Sequence, residues 1–189
     1  MALYNKEINA LYIHIPKCYG NSIKDSLRLV GFKNLLSKNI MNYSIGTLQL
    51  LIDENKTIDI NKTFIFTFIR NPNDRFVSGC NFTNTKLTDN IELSDFNVNE
   101  YWHILMPQIN HIKLKEYSNL NHINFIGICE NIQNDWEKLN IKLKELGLNS
   151  DLPELKILNK SKSNNLIKLP KNMNELFKED YLFYFHLLM

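Results

Sequence analysis

Residues 11–27 read LYIHIPKCYGNSIKDSL, and the fold is decided by how this stretch is parsed. Leu11, Ile13 and Ile15 alternate with Tyr12 and His14, the period-two pattern of a strand. Pro16 has no N–H to give to a ladder, so it ends the strand. Residues 17–21 then make a short loop containing Gly20. Ser22, with Asp25 three residues on, is a variant of the capping box. Ile23, Leu27 and Val30 follow at helical spacing, and Gly31 is a stop signal. A strand feeding a loop that opens a helix presents unpaired backbone N–H groups and a positive dipole end, which together favour an anion. Lys17 adds a point charge and Ser22 a hydroxyl donor. The spelling GxxxxGK[ST] is absent, so an ordinary βα turn stands as the alternative to a phosphate cradle.

Composition narrows the class. A chain of 189 residues, 44% hydrophobic and 22% charged, predicts one globular domain over residues 1–189. A net charge of +2 gives no reason to expect nucleic acid as a partner, and it leaves room for a local basic pocket. The three cysteines, Cys18, Cys80 and Cys129, form no CxxC pair, so reduced thiols and no metal site are expected. Cys18 is singled out by its neighbour Lys17 and a helix start, which lower a thiol pKa. Neither a secretory signal nor a run of 18 apolar residues is present, which predicts a cytoplasmic protein with no integral membrane segment. The oligomeric state is not readable.

The second signal is residues 63–82, TFIFTFIRNPNDRFVSGCNF. FIFTFI is a short, mostly apolar run rich in β-branched and aromatic residues, the mark of a buried strand. Asn71-Pro72 breaks it, and Asp74 is a candidate cap for a helix in which Phe76 and Val77 face the core. Arg70 stands at the carboxyl end of this strand, where open parallel sheets bind ligands. It therefore faces the same rim as the Lys17 loop. Ser78, one helical turn beyond Asp74, is placed to share an anion with Arg70. A salt bridge from Arg70 to Asp74 is the competing use of that side chain.

Together, IHIPKCYGNSI and FTFIRNPNDRFVSG resemble the two cofactor signatures of sulfotransferases, closest to the carbohydrate (Golgi-type, heparan sulfate 2-O-sulfotransferase-like) branch, sulfotransferase family 2. The resemblance implies a donor, 3′-phosphoadenosine 5′-phosphosulfate (PAPS), and no metal. It implies that the loop Lys17, Cys18, Tyr19, Gly20, Asn21, Ser22 and Ile23 holds the 5′-phosphosulfate, and that Arg70 and Ser78 hold the 3′-phosphate. Asn21 stands where the family commonly has Thr, and an amide replaces a hydroxyl contact there. Residues 124–128, NFIGI, and 130–146, ENIQNDWEKLNIKLKEL, resemble a later strand and helix of the family, with Trp136 in the core and Gly147 as C-cap. LKILNKS, residues 155–161, resembles a loop that closes over the nucleotide, making Lys160 and Ser161 candidate contacts. Residues 175–185, ELFKEDYLFYF, resemble the terminal helix, an ending expected of a complete catalytic domain.

The implied chemistry is sulfuryl transfer to a hydroxyl of a carbohydrate or other small acceptor. Lys17 would neutralise charge growing on the leaving diphosphate. A general base is harder to place. No His occurs in residues 32–62, where the 2-O-sulfotransferase-like branch carries one, and Asn42-Tyr43 stands in its stead. His103, in YWHILMPQ, resembles a His-containing segment ending in Pro-Gln and is the first candidate on the acceptor side. Glu100 and His111 are the reserves, and His14 is expected to be structural. A non-catalytic nucleotide- or glycan-binding relative and a kinase-like nucleotide-binding protein are the competing readings. The kinase-like one lacks a Walker motif and an acidic pair for Mg²⁺. The expected fold is α/β, a three-layer sandwich around a mainly parallel sheet of four or five strands with a P-loop-like nucleotide site, its firmest strands at 11–15, 64–69 and 124–128.

Overall fold

A computed structural model describes residues 2–35, 47–54, 58–85, 96, 103–156 and 169–189. Its centre is a five-stranded sheet, β1 (Leu3–Asn5), β2 (Ala10–Ile13), β3 (Lys33–Asn34), β4 (Phe64–Ile69) and β5 (Phe125–Ile128), in the order β3-β1-β2-β4-β5. The three strands β2, β4 and β5 run parallel, with Leu11 beside Ile65 and Ile69 beside Ile128. The short β1 and β3 add an antiparallel edge. The fold is thus the expected α/β class with a largely parallel sheet. Every residue of β2 and the last five of β4 are buried. Successive side chains point to opposite faces, so both faces of the sheet are covered, as a layered α/β fold requires.

The helices are α1 (Gly20–Leu29), α2 (Leu48–Glu54), α3 (Pro72–Phe82), α4 (Ile132–Glu145), α5 (Met173–Leu176) and α6 (Lys178–Leu188), with a 3₁₀ turn at Gln108–His111. Gly31 (φ 91°) and Gly147 (φ 99°) take the left-handed conformation that ends α1 and α4. In each case the next residue donates back into the last turn, Phe32 to the Leu27 carbonyl at 3.2 Å and Leu148 to that of Leu143 at 3.0 Å. Ile132, Trp136, Leu139 and Leu143 form the buried stripe of α4, whereas Leu146, past the helix end, is 41% exposed. The Trp136 indole donates to the Pro153 carbonyl at 3.0 Å. The main core lies along the sheet, and a second cluster, Phe76, Cys80, Phe96, Ile104, Met173 and Phe177, joins α3 to the C-terminal helices.

Three local readings are corrected. β2 ends at Ile13 rather than Ile15, because the chain leaves the ladder before Pro16. Ser22 and Asp25 form no capping box: α1 starts three residues earlier, its N-cap is Tyr19, and the Tyr19 side chain does not cap it. Ser22 is instead buried in the first turn, and Asp25 pairs with exposed Arg28 at 3.1 Å. Asp74 does not cap α3. Asn71 does, accepting from the N–H groups of Asn73 (3.0 Å) and Asp74 (3.5 Å). Asparagine directly before the Pro72 of the first turn is the better cap, because Asp74 is already inside the helix.

Candidate active site

The site sits where the chain diverges. From β2 the chain passes through α1 to β3 on one side of the sheet, and from β4 through α3 to β5 on the other. The carboxyl ends of the adjacent parallel strands β2 and β4 therefore open a crevice, the position at which open α/β sheets bind ligands.

The loop out of β2 is unusual in its backbone. Lys17 (φ 69°) and Tyr19 (φ 52°) are both left-handed, a conformation that costs a non-glycine residue about 1 kcal/mol or more. Cys18 between them is not. Such an alternation turns successive N–H groups toward one point and makes an anion-binding concavity. The loop delivers them to the start of α1, which no side chain caps. The start of α3, in the same crevice, is closed by Asn71. Of the two helix ends, that of α3 is closed by its own Asn71, whereas the N-cap of α1, Tyr19, makes no side-chain cap bond among the described residues.

Two cations meet over this loop. The Arg70 guanidinium donates to the Lys17 carbonyl at 3.5 Å and lies 5.6 Å from the centre of the Tyr19 ring. The Lys17 ammonium stands 3.9 Å from the centre of the Phe82 ring. Among the described residues neither cation has an ion pair, and the expected competitor, Arg70 to Asp74, is not formed. Burial first, and the Arg70 charge second, hold the Lys17 ammonium below its ordinary pKa. Two like charges held together without a carboxylate suit a doubly anionic ligand.

The remaining loop residues divide by where they point. Asn21 is exposed at the helix start, and Gly20 is buried against His14. A Cβ on Gly20 would fall 1.7 Å from His14 Cε1, so close packing excludes any side chain here. The Cys18 thiol is fully buried and donates to Gln108 Oε1 at 3.3 Å, leaving only its backbone for a ligand. Ile23 has its side chain in the core, and its N–H is donated to the Tyr19 carbonyl at 3.1 Å. Ser78 is half-buried on α3 beyond Asp74. Lys160 and Ser161 lie outside the described residues, as do Glu100 and the Asn42-Tyr43 pair.

His103 comes to the crevice through Phe82, whose ring it meets edge-on at 6.0 Å. Lys17, Phe82 and His103 thus form a contiguous group. His111 is separated from this role by burial. It is 1% exposed, neither ring nitrogen has a hydrogen-bond partner among the described residues, and burial, with Arg75 adding, lowers its pKa to about 3. His14 is held neutral by burial and lies within 3.5 Å of the Tyr12 hydroxyl through Nδ1, in keeping with a structural part.

Several residues that build the site escaped the sequence reading. Buried Arg75 donates to the carbonyls of Pro16 (3.1 Å), His103 (3.0 Å) and Ile104 (3.4 Å), fixing the Lys17 loop to the His103 segment. Gln108 bonds both Arg70 and Cys18, and Asp180 caps the turn that carries Gln108. Nothing in the local sequence pattern marked them: Arg75 follows Asn73 and Asp74, and Asp180 follows Lys178 and Glu179.

A layered α/β fold with a strained, basic strand–loop–helix element facing a second basic strand end offers a site suited to an anionic ligand. The chain belongs to the sulfotransferase family: the model of sulfotransferase family 2 matches residues 1–185. No curated protein and no solved structure matches it. Among the described residues no helix is long and apolar enough to cross a membrane, and no group of His, Cys, Asp and Glu is arranged to hold a metal ion.

Proposed function

We propose that this protein transfers the sulfuryl group of PAPS to a hydroxyl of a carbohydrate or other small acceptor. The observation that carries this reading is the meeting of Arg70 with the Lys17 loop, 3.5 Å from guanidinium to carbonyl, over an uncapped helix start. The donor supplies a sulfur atom activated by its mixed-anhydride link, through a bridging oxygen, to the 5′-phosphate. Backbone N–H groups of residues 18–21 and the Lys17 ammonium would hold the 5′ end, and Arg70 with Ser78 the 3′-phosphate. Lys160 and Ser161 are taken as further contacts from the later loop.

Catalysis asks for positioning and charge stabilisation more than covalent work. The acceptor hydroxyl oxygen forms the new S–O bond while the bond to the bridging oxygen breaks, and the electron pair stays with the departing phosphate. Lys17 meets that growing charge. His103, close to Lys17 through Phe82, takes the hydroxyl proton, a step worth about 10²–10⁴-fold in rate. We take the enzyme to act in the cytoplasm and without a metal ion.

Calorimetric titration with 3′-phosphoadenosine 5′-phosphate tests the reading. The wild type is expected to bind it well and AMP poorly. Lys17→Ala and Arg70→Ala are each expected to weaken binding about 10- to 100-fold, the worth of a charge-assisted contact. No binding by the wild type would overturn the PAPS assignment.

A further inference from the structure

Gln108 is 2% exposed, and its carboxamide joins the two halves of the crevice. Oε1 accepts from the Arg70 N–H at 2.8 Å, and Nε2 donates to the Arg70 carbonyl at 2.8 Å. The ladder of β4 with β5 ends one residue earlier, at Ile69 beside Ile128. An amide that bonds both backbone groups of one residue does what a neighbouring strand would do. Gln108 therefore extends the ladder by one residue and fixes the backbone from which the Arg70 side chain projects. Near the other end of β4, Asn124 bonds both backbone groups of Ile65, giving its own backbone N–H to the Ile65 carbonyl (2.8 Å) and accepting the Ile65 N–H on Oδ1 (2.7 Å).

The Gln108 carboxamide does more than hold a strand end. Its Oε1 also accepts the Cys18 thiol at 3.3 Å, from between the two left-handed loop residues. The turn carrying Gln108 is itself pinned by a buried carboxylate. Asp180 accepts the N–H groups of Gln108 (2.7 Å) and Ile109 (3.0 Å). Loop, strand end and C-terminal helix α6 thus converge on one side chain.

We propose that Gln108 is a positioning residue that sets the separation between the Lys17 loop and Arg70, so that the crevice accepts a nucleoside carrying phosphate at both its 3′ and 5′ positions in preference to a 5′-monophosphate. This rests on the donor reading above. Gln108 touches neither phosphate; it acts through Arg70 and Cys18. A ligand that engages only the loop needs no fixed separation, whereas one that engages both ends does.

The test compares 3′-phosphoadenosine 5′-phosphate with AMP by calorimetry on the wild type, Gln108→Leu and Gln108→Glu, with thermal midpoints recorded. Gln108→Leu is expected to lower the ratio of the two affinities by about tenfold, with AMP binding changed about twofold or less. Gln108→Glu keeps an acceptor for the Arg70 N–H and loses the donor to its carbonyl, so its ratio is expected to fall between the two. A merely structural role would weaken both nucleotides alike and leave the ratio unmoved. That result, or a wild-type ratio in Gln108→Leu, overturns the inference while the donor reading stands. A wild type that binds neither nucleotide overturns both. If Gln108→Leu does not fold, Asp180→Asn, which loosens the turn and leaves the carboxamide itself in the chain, carries the same comparison, and an unchanged ratio there counts against the inference.

Discussion

The Lys17 ammonium rests on the face of Phe82, 3.9 Å from the ring centre, while the Arg70 guanidinium lies 5.6 Å from the centre of the Tyr19 ring. Both cations thus lie against aromatic rings, and neither pairs with a carboxylate among the described residues. An aromatic face attracts a cation by about 0.5–1 kcal/mol at an exposed site, weakly enough to yield to an anion. The arrangement keeps two positive charges side by side without neutralising either.

The first prediction concerns that mutual repulsion. Burial lowers the Lys17 pKa and Arg70 lowers it further. Removing the Arg70 charge removes the second cause, so Arg70→Gln is expected to raise the Lys17 pKa, read from the ¹³Cε shift of a labelled lysine. The alkaline limit of ligand binding at the loop should move up with it. A Lys17 pKa unchanged in Arg70→Gln would mean that the two charges do not sense one another.

The second prediction concerns Gly20. Its place is dictated by space, since a Cβ would overlap the His14 ring at 1.7 Å. Gly20→Ala is expected to destabilise by about 2 kcal/mol or more, as overpacking of a close contact does. His14→Ala opens that space, so the double variant should be less destabilised than the sum of the singles, with a coupling of about 1 kcal/mol or more in urea denaturation. Strict additivity would show that His14 does not set the constraint.

Acid stability supplies the third. His111 is held near pKa 3 in the fold, against about 6.5 in the unfolded chain. Between those values the unfolded chain binds the extra proton, so stability rises with pH there and falls as acid is added. The contribution is complete above about pH 6.5 and declines toward pH 3, at up to about 1.4 kcal/mol per pH unit for this group. His14, also lowered by burial, acts in the same direction. Urea midpoints at pH 7.5 and pH 5.0 should therefore differ less in His111→Leu than in the wild type. An equal difference would sink the assignment.

What the sequence disclosed is what depends on short-range pattern. FIFTFI was legible as β4 over Phe64–Ile69 because a buried parallel strand must be apolar on both faces. Gly31 and Gly147 were legible as helix stops because their conformation demands glycine. Lys17 and Arg70 were legible as a pair because both follow strands that turn out to be adjacent and parallel. The start of α1 was misread because left-handed Lys17 and Tyr19 carry no sequence signature; the surrounding structure imposes that conformation. Gln108 and Asp180 escaped for another reason. Their bonds span 38 residues to Arg70 and 72 residues to each other, and no local periodicity encodes such a contact.

The last prediction concerns Cys18, whose position beside Lys17 at a helix start invites a reactive thiol. The structure turns the thiol inward, fully buried, toward the Gln108 oxygen. A buried thiol shielded from solvent reacts slowly whatever its neighbours. Cys80 and Cys129 are buried too; burial pushes the Cys80 thiol up to about 12 and raises that of Cys129. Native protein treated with a disulfide reagent at pH 8 should therefore label slowly at all three sites, and unfolding in guanidinium should release the full count of three. Cys18→Ala removes one weak donor and is expected to cost about 1 kcal/mol or less in stability. It should bind 3′-phosphoadenosine 5′-phosphate within about threefold of the wild type, since the loop's contribution there is backbone. Rapid native labelling of Cys18 with loss of nucleotide binding would mean that the thiol faces the crevice, and the geometry drawn between the loop and Gln108 would have to be abandoned.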